Sequence, residues 1–144
     1  MNLRKNIQKD SIKIIIPSDF IYLKIIEDVF WEFLKINKLL QKIKADEILL
    51  AIVEGVVNAI KHGNDNDLKR DVSFFLFLEK KYLNIIIKDK GKGFKLKDVK
   101  DPTNVKNLIN KNGRGIFIMK NFMDKVNYHF SSDGTELHMR KEIL

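Results

Sequence analysis

The sequence predicts an α+β fold, a two-layer sandwich in which a mixed, mostly antiparallel sheet of about five strands is covered on one face by about three helices. Strand and helix patterns follow one another as β-α-α-β-β-α-β-β, and two pairs of strands are joined by short turns. The second helix is apolar on most of its circumference, as expected for a helix buried against a sheet. With 144 residues, the chain is expected to form a single domain, 1–144, without repeats or linkers.

The first half of the chain supplies one strand and two helices. Residues 11–16, SIKIII, alternate and then run apolar, which is typical of a strand. Ser18 or Asp19 can cap the first helix, whose apolar positions recur at helical spacing. The second helix is expected over about 44–62, and the GNDND segment ends it.

The second half supplies two hairpins and a third helix. Strands are predicted over about 71–79 and 82–88, joined by a short KK connection. The third helix is expected over about 113–125, and the last hairpin pairs about 126–131 with about 135–141. The polar stretch that precedes the third helix contains four Asn and is expected to be a loop.

Composition narrows the class of protein. Hydrophobic residues make up 44% of the chain and charged residues 32%, which suits a folded core with a charged surface. The absence of cysteine excludes disulfides and thiolate chemistry. No apolar run approaches the roughly 20 residues that span a bilayer, and the first ten residues lack an apolar signal core, so we expect a cytoplasmic protein without a membrane partner. The net charge is +8, but the lysines are scattered, which argues against direct nucleic-acid binding.

Glu54, Asn58 and His62 lie at i, i+4 and i+8 of the second helix and therefore share one face. A carboxamide oxygen is a hard ligand that suits Mg²⁺, and a carboxylate one turn away can orient or deprotonate a nucleophile. Taken alone, such a triplet is more often a polar stripe with a hydrogen-bonded histidine.

Asp89 follows three isoleucines, so its carboxylate emerges from a buried strand and needs a donor partner. An exocyclic amine such as that of adenine would supply one. Gly91 and Gly93 remove side chains where a flat base or a backbone would approach closely. The alternative interpretation is an ordinary Asp-Lys-Gly surface turn.

Gly113 and Gly115 stand where a loop enters the third helix. Free N–H groups at a helix start bind anions, and Arg114 adds a bidentate phosphate donor. A flexible helix entry is the alternative, and the chain lacks the GxxxxGK[ST] motif of a P-loop. Thr135, in the DGTEL turn, can reach a base through its hydroxyl. Six phenylalanines are expected in the core rather than in stacking platforms: Phe74, Phe75, Phe77, Phe94, Phe117 and Phe122.

Together these motifs resemble the GHKL ATPase superfamily, which includes gyrase, chaperones of the Hsp-ninety type and sensor histidine kinases. EGVVNAIKHG is similar to the N box, DKGKGF to the first glycine box and GRG to the second, with about 96–112 as the ATP lid. Within the superfamily the chain is most similar to the small anti-sigma-factor serine kinases of bacterial partner-switching systems. The DPT at 101–103, the segment GRGIFIMKNFMDKV and the closing GTEL carry that similarity.

The resemblance implies ATP and ADP binding with Mg²⁺. It implies that Asn58 coordinates the metal, that Asp89 binds the adenine amine and that Glu54 is the catalytic base. His62, Thr135, the glycines and Arg114 complete the implied nucleotide site.

It also implies two protein partners. One is a sigma factor, and the other is an anti-anti-sigma protein of the STAS type whose serine is phosphorylated. A homodimer is left open. The second hypothesis is an ATP-gated regulatory module without kinase turnover. Gly55 departs from the family pattern, which usually has a better helix former at this position. A glycine within a helix costs about 1 kcal/mol, so Gly55 can soften the helix or admit a close neighbour.

Overall fold

The computed structural model describes residues 4–8, 10–91 and 114–143, with side chains over 10–91 and 115–143. The described strands form a six-stranded sheet in the order β1-β2-β3-β4-β6-β5. Every neighbouring pair of strands in it is antiparallel. The strands are β1 Arg4–Gln8, β2 Ser11–Pro17, β3 Asp71–Glu79, β4 Tyr82–Lys88, β5 Lys125–Ser131 and β6 Gly134–Glu142. The helices are α1 Leu23–Ile36, α2 Ala45–Asn58 and α3 Arg114–Phe122.

The predicted α+β class is confirmed, with two differences in detail. The sheet has six strands because β1, which has no clear apolar alternation in its sequence, pairs with β2. The third helix ends at Phe122 and not near Lys125. The backbone N–H of Asp124 donates to the carbonyl of Arg140 at 2.9 Å, so at Asp124 the chain already pairs with β6 and no longer continues the helix.

The helices cover one face of the sheet and the core lies between the two layers. In β4 every second side chain is buried, and in β3 Val72, Phe74 and Leu76 alternate in the same way, as expected for strands with one covered face. The helices contribute Ile26, Phe30, Phe33 and Leu34 from α1, Ile48, Ala51, Ile52 and Val56 from α2, and Ile116 and Met119 from α3. On the opposite face, Phe75 and Phe77 stack with their ring centroids 4.5 Å apart.

The start of α1 follows the predicted cap. The side chain of Asp19 accepts a hydrogen bond from the N–H of Ile21 at 3.0 Å, at the head of a 3₁₀ turn, Phe20–Tyr22, that leads into the helix. Phe117 departs from the expected core position, because it is 64% exposed on α3.

Helix α2 ends in a wide turn that the sequence did not predict. Ala59–Gly63 form a π-turn, in which the N–H of Asn64 donates to the carbonyl of Ala59 at 2.8 Å. Asp65 and Asn66 then adopt positive φ angles, which Asp and Asn tolerate better than most residues. Such π-turns occur often at functional sites, and this one directs the chain towards the end of β4.

Candidate functional site

Asp89 leaves the sheet directly after β4, and its side chain is buried, with 5% of the residue exposed. Its backbone N–H donates to the carbonyl of Thr135 at 3.0 Å. Its Oδ1 accepts hydrogen bonds from the backbone N–H groups of Thr135 at 3.0 Å and Gly91 at 3.1 Å. The carboxylate is therefore held by the neighbouring strand β6 and by its own loop. Thr135, predicted to act through its hydroxyl, lies beside Asp89 and binds it through its backbone.

Three glycines allow the chain to close around Asp89. A Cβ on Gly63 would lie 2.1 Å from Asp89 Oδ2, and one on Gly134 would lie 2.2 Å from the Asp89 carbonyl oxygen. A Cβ on Gly91 would lie 2.0 Å from the carbonyl oxygen of Gly63. Gly134 also has a φ of +136°, a conformation that other residues rarely adopt. The end of α2, the loop after β4 and the start of β6 thus meet at one point.

Asn64 connects the loop that follows Asp89 to other parts of the fold through side-chain hydrogen bonds. Its Nδ2 donates to Ser18 Oγ at 2.8 Å, to the Asp71 carbonyl at 3.0 Å and to the Arg70 carbonyl at 3.2 Å. Its Oδ1 accepts from the backbone N–H of Lys90 at 2.8 Å, and the residue is fully buried. The residue after Asp89 is therefore tied to the loop between α2 and β3 and to the entry of α1.

Glu54 and Asn58 form a second group, beside the start of α3. A Cβ on Gly115 would lie 2.9 Å from Glu54 Oε2 and 3.3 Å from Asn58 Nδ2, so the absence of a side chain lets α3 pack directly on this face of α2. The regular i+4 spacing holds from Glu54 to Asn58. It does not extend to His62, because the π-turn adds a residue to the helical turn.

Tyr128 is a further residue of the candidate site, which no sequence motif predicts. It lies on β5, directly opposite Leu137 of β6. Burial raises the pKa of the Tyr128 phenol; Asn58 partly opposes this, and the charge of Asp89 adds to it. The pKa of the Tyr128 phenol therefore depends on both residue groups of the site, through Asn58 and through Asp89. Only the tertiary pairing of β5 with β6 could reveal this position, since NYHF carries no motif.

The structure therefore brings Glu54, Asn58 and Gly115 together and gathers Thr135 and Gly91 around Asp89. His62 is half-buried in the π-turn. Gly93, Gly113 and the lid at about 96–112 lie outside the described residues, as do the DPT segment at 101–103, Phe94 and the side chain of Arg114. Gly63, Gly134, Asn64 and Tyr128 are additions from the structure.

The described residues contain neither a metal-binding cluster of side chains nor a membrane-spanning helix. Among the residues that the structure describes, no three or more His, Asp or Glu side chains are arranged to hold a metal ion. Over the same residues, no helix is long and apolar enough to cross a membrane.

A nucleotide-binding α+β sandwich without a P-loop is the class of protein that this fold and site define. Residues 16–141 match the model of the histidine kinase-like ATPase domain, and the chain belongs to that family. The superfamily predicted from the three motifs is confirmed.

Curated relatives narrow the similarity. The chain is 34% identical over 100 residues to an anti-sigma F factor of Anoxybacillus flavithermus. The aligned region covers 67% of this chain and 68% of that protein. It is 33% identical over 100 residues to the anti-sigma F factor of Bacillus licheniformis, with the same coverage. It is 35% identical over 98 residues to that of Bacillus thuringiensis, covering 66% of this chain and 67% of that protein.

A solved structure supports the fold alone. The histidine kinase domain of the Erythrobacter litoralis EL346 blue-light activated histidine kinase superposes with a TM-score of 0.54 at 19% sequence identity. The match covers 69% of this chain and 44% of that one, so the chain spans less than half of the solved protein.

Proposed function

We propose that this protein is an ATP-dependent serine kinase and anti-sigma factor, which sequesters a sigma factor and phosphorylates an anti-anti-sigma protein of the STAS type. The family assignment supports ATP use, and the names of the curated relatives support the sigma-factor partner. The observation that carries the proposal is the pair of residue groups in one site, with Asp89 at one end and Glu54 and Asn58 against α3 at the other. A role in sigma-factor control would place the protein in the cytoplasm.

The Asp89 end suits the base of the nucleotide. Two backbone N–H groups hold the carboxylate in a buried position, where it can accept a hydrogen bond from the exocyclic amine of adenine. Gly91 and Gly134 keep side chains away from the same place. Recognition of adenine would then depend on a preformed acceptor and not on a flexible surface carboxylate.

The α3 end suits the phosphates. Gly115 brings the N-terminal turn of α3 within contact distance of Glu54 and Asn58, and the N–H groups at a helix start bind anions. We assign Gly113, Arg114 and Gly93 to this phosphate contact and about 96–112 to a lid over it.

Asn58 and Glu54 also fit a magnesium ion bound with ATP. Mg²⁺ prefers oxygen ligands and is usually bound through one or two protein groups together with substrate phosphates and water. The Nδ2 of Asn58 is buried against Gly115, which leaves its oxygen as the end suited to a cation. When bound, the metal would neutralise phosphate charge. We assign Asn58 as the protein ligand and keep Glu54 for proton transfer.

Glu54 is the residue that separates a kinase from a binding module. In the transfer, the serine oxygen of the partner forms a bond to the γ-phosphorus, the bond to the β-phosphate oxygen breaks and the serine proton passes to the Glu54 carboxylate. General-base assistance is typically worth about 10²–10⁴-fold in rate. Glu54→Gln should therefore reduce phosphoryl transfer by that factor while nucleotide affinity stays within a few-fold.

The assay measures labelled-phosphate transfer to a cognate anti-anti-sigma protein beside a nucleotide titration. Glu47→Gln is the matched control, because it makes the same chemical change two turns earlier on α2 and should leave transfer unchanged. Equal transfer by Glu54→Gln and the wild type would remove Glu54 from the mechanism. No transfer by the wild type, with sigma-factor binding retained, would favour the non-catalytic regulatory module.

A further inference from the structure

Among the residues that the structure describes, two buried polar atoms of the site have no hydrogen-bond partner. Asn58 Nδ2 and Tyr128 Oη are both inaccessible to solvent, and neither has a regular hydrogen bond within the part of the chain that the structure describes. Buried side-chain donors and acceptors are satisfied in the large majority of cases, so each exception needs a physical explanation. Here the two exceptions occur on neighbouring side chains of the same site.

The two side chains interact with each other. The Asn58 carboxamide lies close enough to the Tyr128 hydroxyl to lower the pKa of that phenol, although burial outweighs it and the pKa stays raised. A tyrosine hydroxyl is protonated at neutral pH even at its ordinary pKa. Its oxygen can accept a hydrogen bond from an N–H group, and a small rotation of either side chain would form the bond between them.

The position of Tyr128 follows from the sheet register. Tyr128 of β5 stands opposite Leu137 of β6, and Leu137 packs beneath Gly55 of α2, where a Cβ would lie 2.9 Å from Leu137 Cδ2. The missing side chain at Gly55 lets α2 approach β6 closely. That approach explains how a tyrosine on the outermost strand reaches Asn58, one turn further along α2.

The orientation of the Asn58 amide matters for the site. Its Nδ2 points towards Gly115, 3.3 Å from where a Cβ would stand, and towards Tyr128. Nδ2 and Oδ1 branch from the same carbon, so a bond that holds Nδ2 at this position would also fix the direction of Oδ1. A rotation of 180° would instead present two N–H donors where a cation needs an oxygen.

We propose that Tyr128 is a positioning residue for the metal ligand: its hydroxyl oxygen accepts a hydrogen bond from Asn58 Nδ2 and thereby holds Asn58 Oδ1 towards the divalent cation of the bound nucleotide. The inference rests on the proposed function, in which Asn58 binds Mg²⁺ with ATP. It adds a residue from β5 to a site that the motifs place on α2, the loop after β4 and α3.

Tyr128→Phe removes the hydroxyl and keeps the ring. ADP and ATP affinities are measured by calorimetry with Mg²⁺ and again with EDTA, and the ratio of the two dissociation constants gives the gain due to the metal. We expect this gain to fall about tenfold, the equivalent of one lost hydrogen bond. Affinity in EDTA should stay within about twofold, because the base contact at Asp89 does not involve the hydroxyl.

Tyr82→Phe is the matched control. Tyr82 lies on β4, and its ring contacts the guanidinium of Arg140, whose carbon is 4.1 Å from the ring centroid. Loss of this hydroxyl should leave both affinities unchanged. Thermal unfolding of each variant shows whether the fold is retained.

A second variant tests the orientation itself. The two oxygens of a carboxylate are equivalent, so Asn58→Asp needs no group to choose which end faces the cation. Tyr128→Phe made in the Asn58→Asp background should therefore leave the metal gain unchanged, and the double-mutant cycle should be non-additive.

The outcomes are distinguishable. If the wild type shows a metal gain and Tyr128→Phe keeps it in full, the inference is overturned and the proposed function stands. If Tyr128→Phe weakens binding equally with Mg²⁺ and with EDTA, the hydroxyl has a general structural role and the inference is again overturned. If the wild type shows no metal gain, the magnesium role of Asn58 in the proposed function fails first.

Discussion

Gly63→Ala tests the close packing around Asp89 most directly. The added Cβ would lie 2.1 Å from Asp89 Oδ2 and 2.4 Å from Cγ, whereas ordinary van der Waals contact begins at 3.4 Å. The carboxylate cannot simply rotate away, because Thr135 and Gly91 hold its other oxygen at 3.0 and 3.1 Å. The substitution therefore has to displace either the carboxylate or the π-turn.

The size of the effect follows from those two hydrogen bonds. A hydrogen bond to a charged group is worth about 1.5–3 kcal/mol, and clearing the methyl group costs at least one of them. If the loss appears in ligand binding, nucleotide affinity should fall about ten- to hundredfold. If the π-turn moves instead, the same free energy should be lost from the stability of the fold, since the N–H of Asn64 bonds to the Ala59 carbonyl across that turn.

The assay is calorimetric titration with ADP in EDTA, which isolates the base end of the site, beside thermal unfolding. Gly55→Ala is the matched control, because its Cβ would meet the side-chain ends of Ile87 and Leu137 at 2.7 and 2.9 Å. It should change the unfolding temperature and leave ADP affinity within a few-fold. Wild-type ADP affinity and stability in Gly63→Ala would refute the proposed packing around Asp89.

Two further predictions concern the same end of the site. Asp89→Asn keeps the shape but replaces one acceptor oxygen with a donor, which should face the adenine amine unfavourably; calorimetry should show at least a tenfold loss of ATP and ADP affinity, and unchanged binding would contradict the adenine assignment. Asn64→Ala removes four hydrogen bonds at once and leaves the N–H of Lys90 without its acceptor, so the free energy of unfolding should fall by about 2–4 kcal/mol in urea denaturation. Ser18→Ala, which removes the Asn64–Ser18 hydrogen bond and the one from Ser18 to the Arg70 carbonyl, should cost clearly less than Asn64→Ala, and equal losses would contradict this account of Asn64.

Local patterns were sufficient to predict most of the fold. β3 and β4 have the predicted bounds, because their apolar alternation agrees with a sheet that is buried on one face. β1 was missed because RKNIQ has little apolar periodicity, and it becomes a strand only by pairing with β2. The π-turn after α2 depends on where Asn64 and Asn66 find their hydrogen bonds, which no helical pattern records.

Motif spacing selects Asp89, Glu54 and Asn58 as candidate site residues, and their roles stay predictions. The structure adds the neighbours of each, such as the N–H groups of Thr135 and Gly91 at Asp89 and the close approach of Gly115 to Glu54 and Asn58. The GNDND pattern predicts only the end of a helix, whereas Gly63, in the turn after α2, packs directly against Asp89. Tyr128 was missed because its proximity to Asn58 depends on strand register and on the depth at which Gly55 lets α2 pack. Contacts of this kind join segments far apart in sequence, so spacing within one segment cannot reveal them.

The two ends of the site are built by different physical means, and this has a consequence for its variants. At Asp89, backbone hydrogen bonds from β6 and from the following loop fix the position of the carboxylate. At Asn58, the amide nitrogen Nδ2 is buried without a hydrogen-bond partner in the described part of the chain. The contact between Asn58 and α3 depends on the absence of a side chain at Gly115. Binding of the base should therefore survive changes at the α3 end, whereas metal-dependent binding and phosphoryl transfer should depend on how α3, β5 and α2 pack together. A set of variants at both ends that lost base binding and metal-dependent binding in constant proportion would show that the site responds as one unit and would contradict this division.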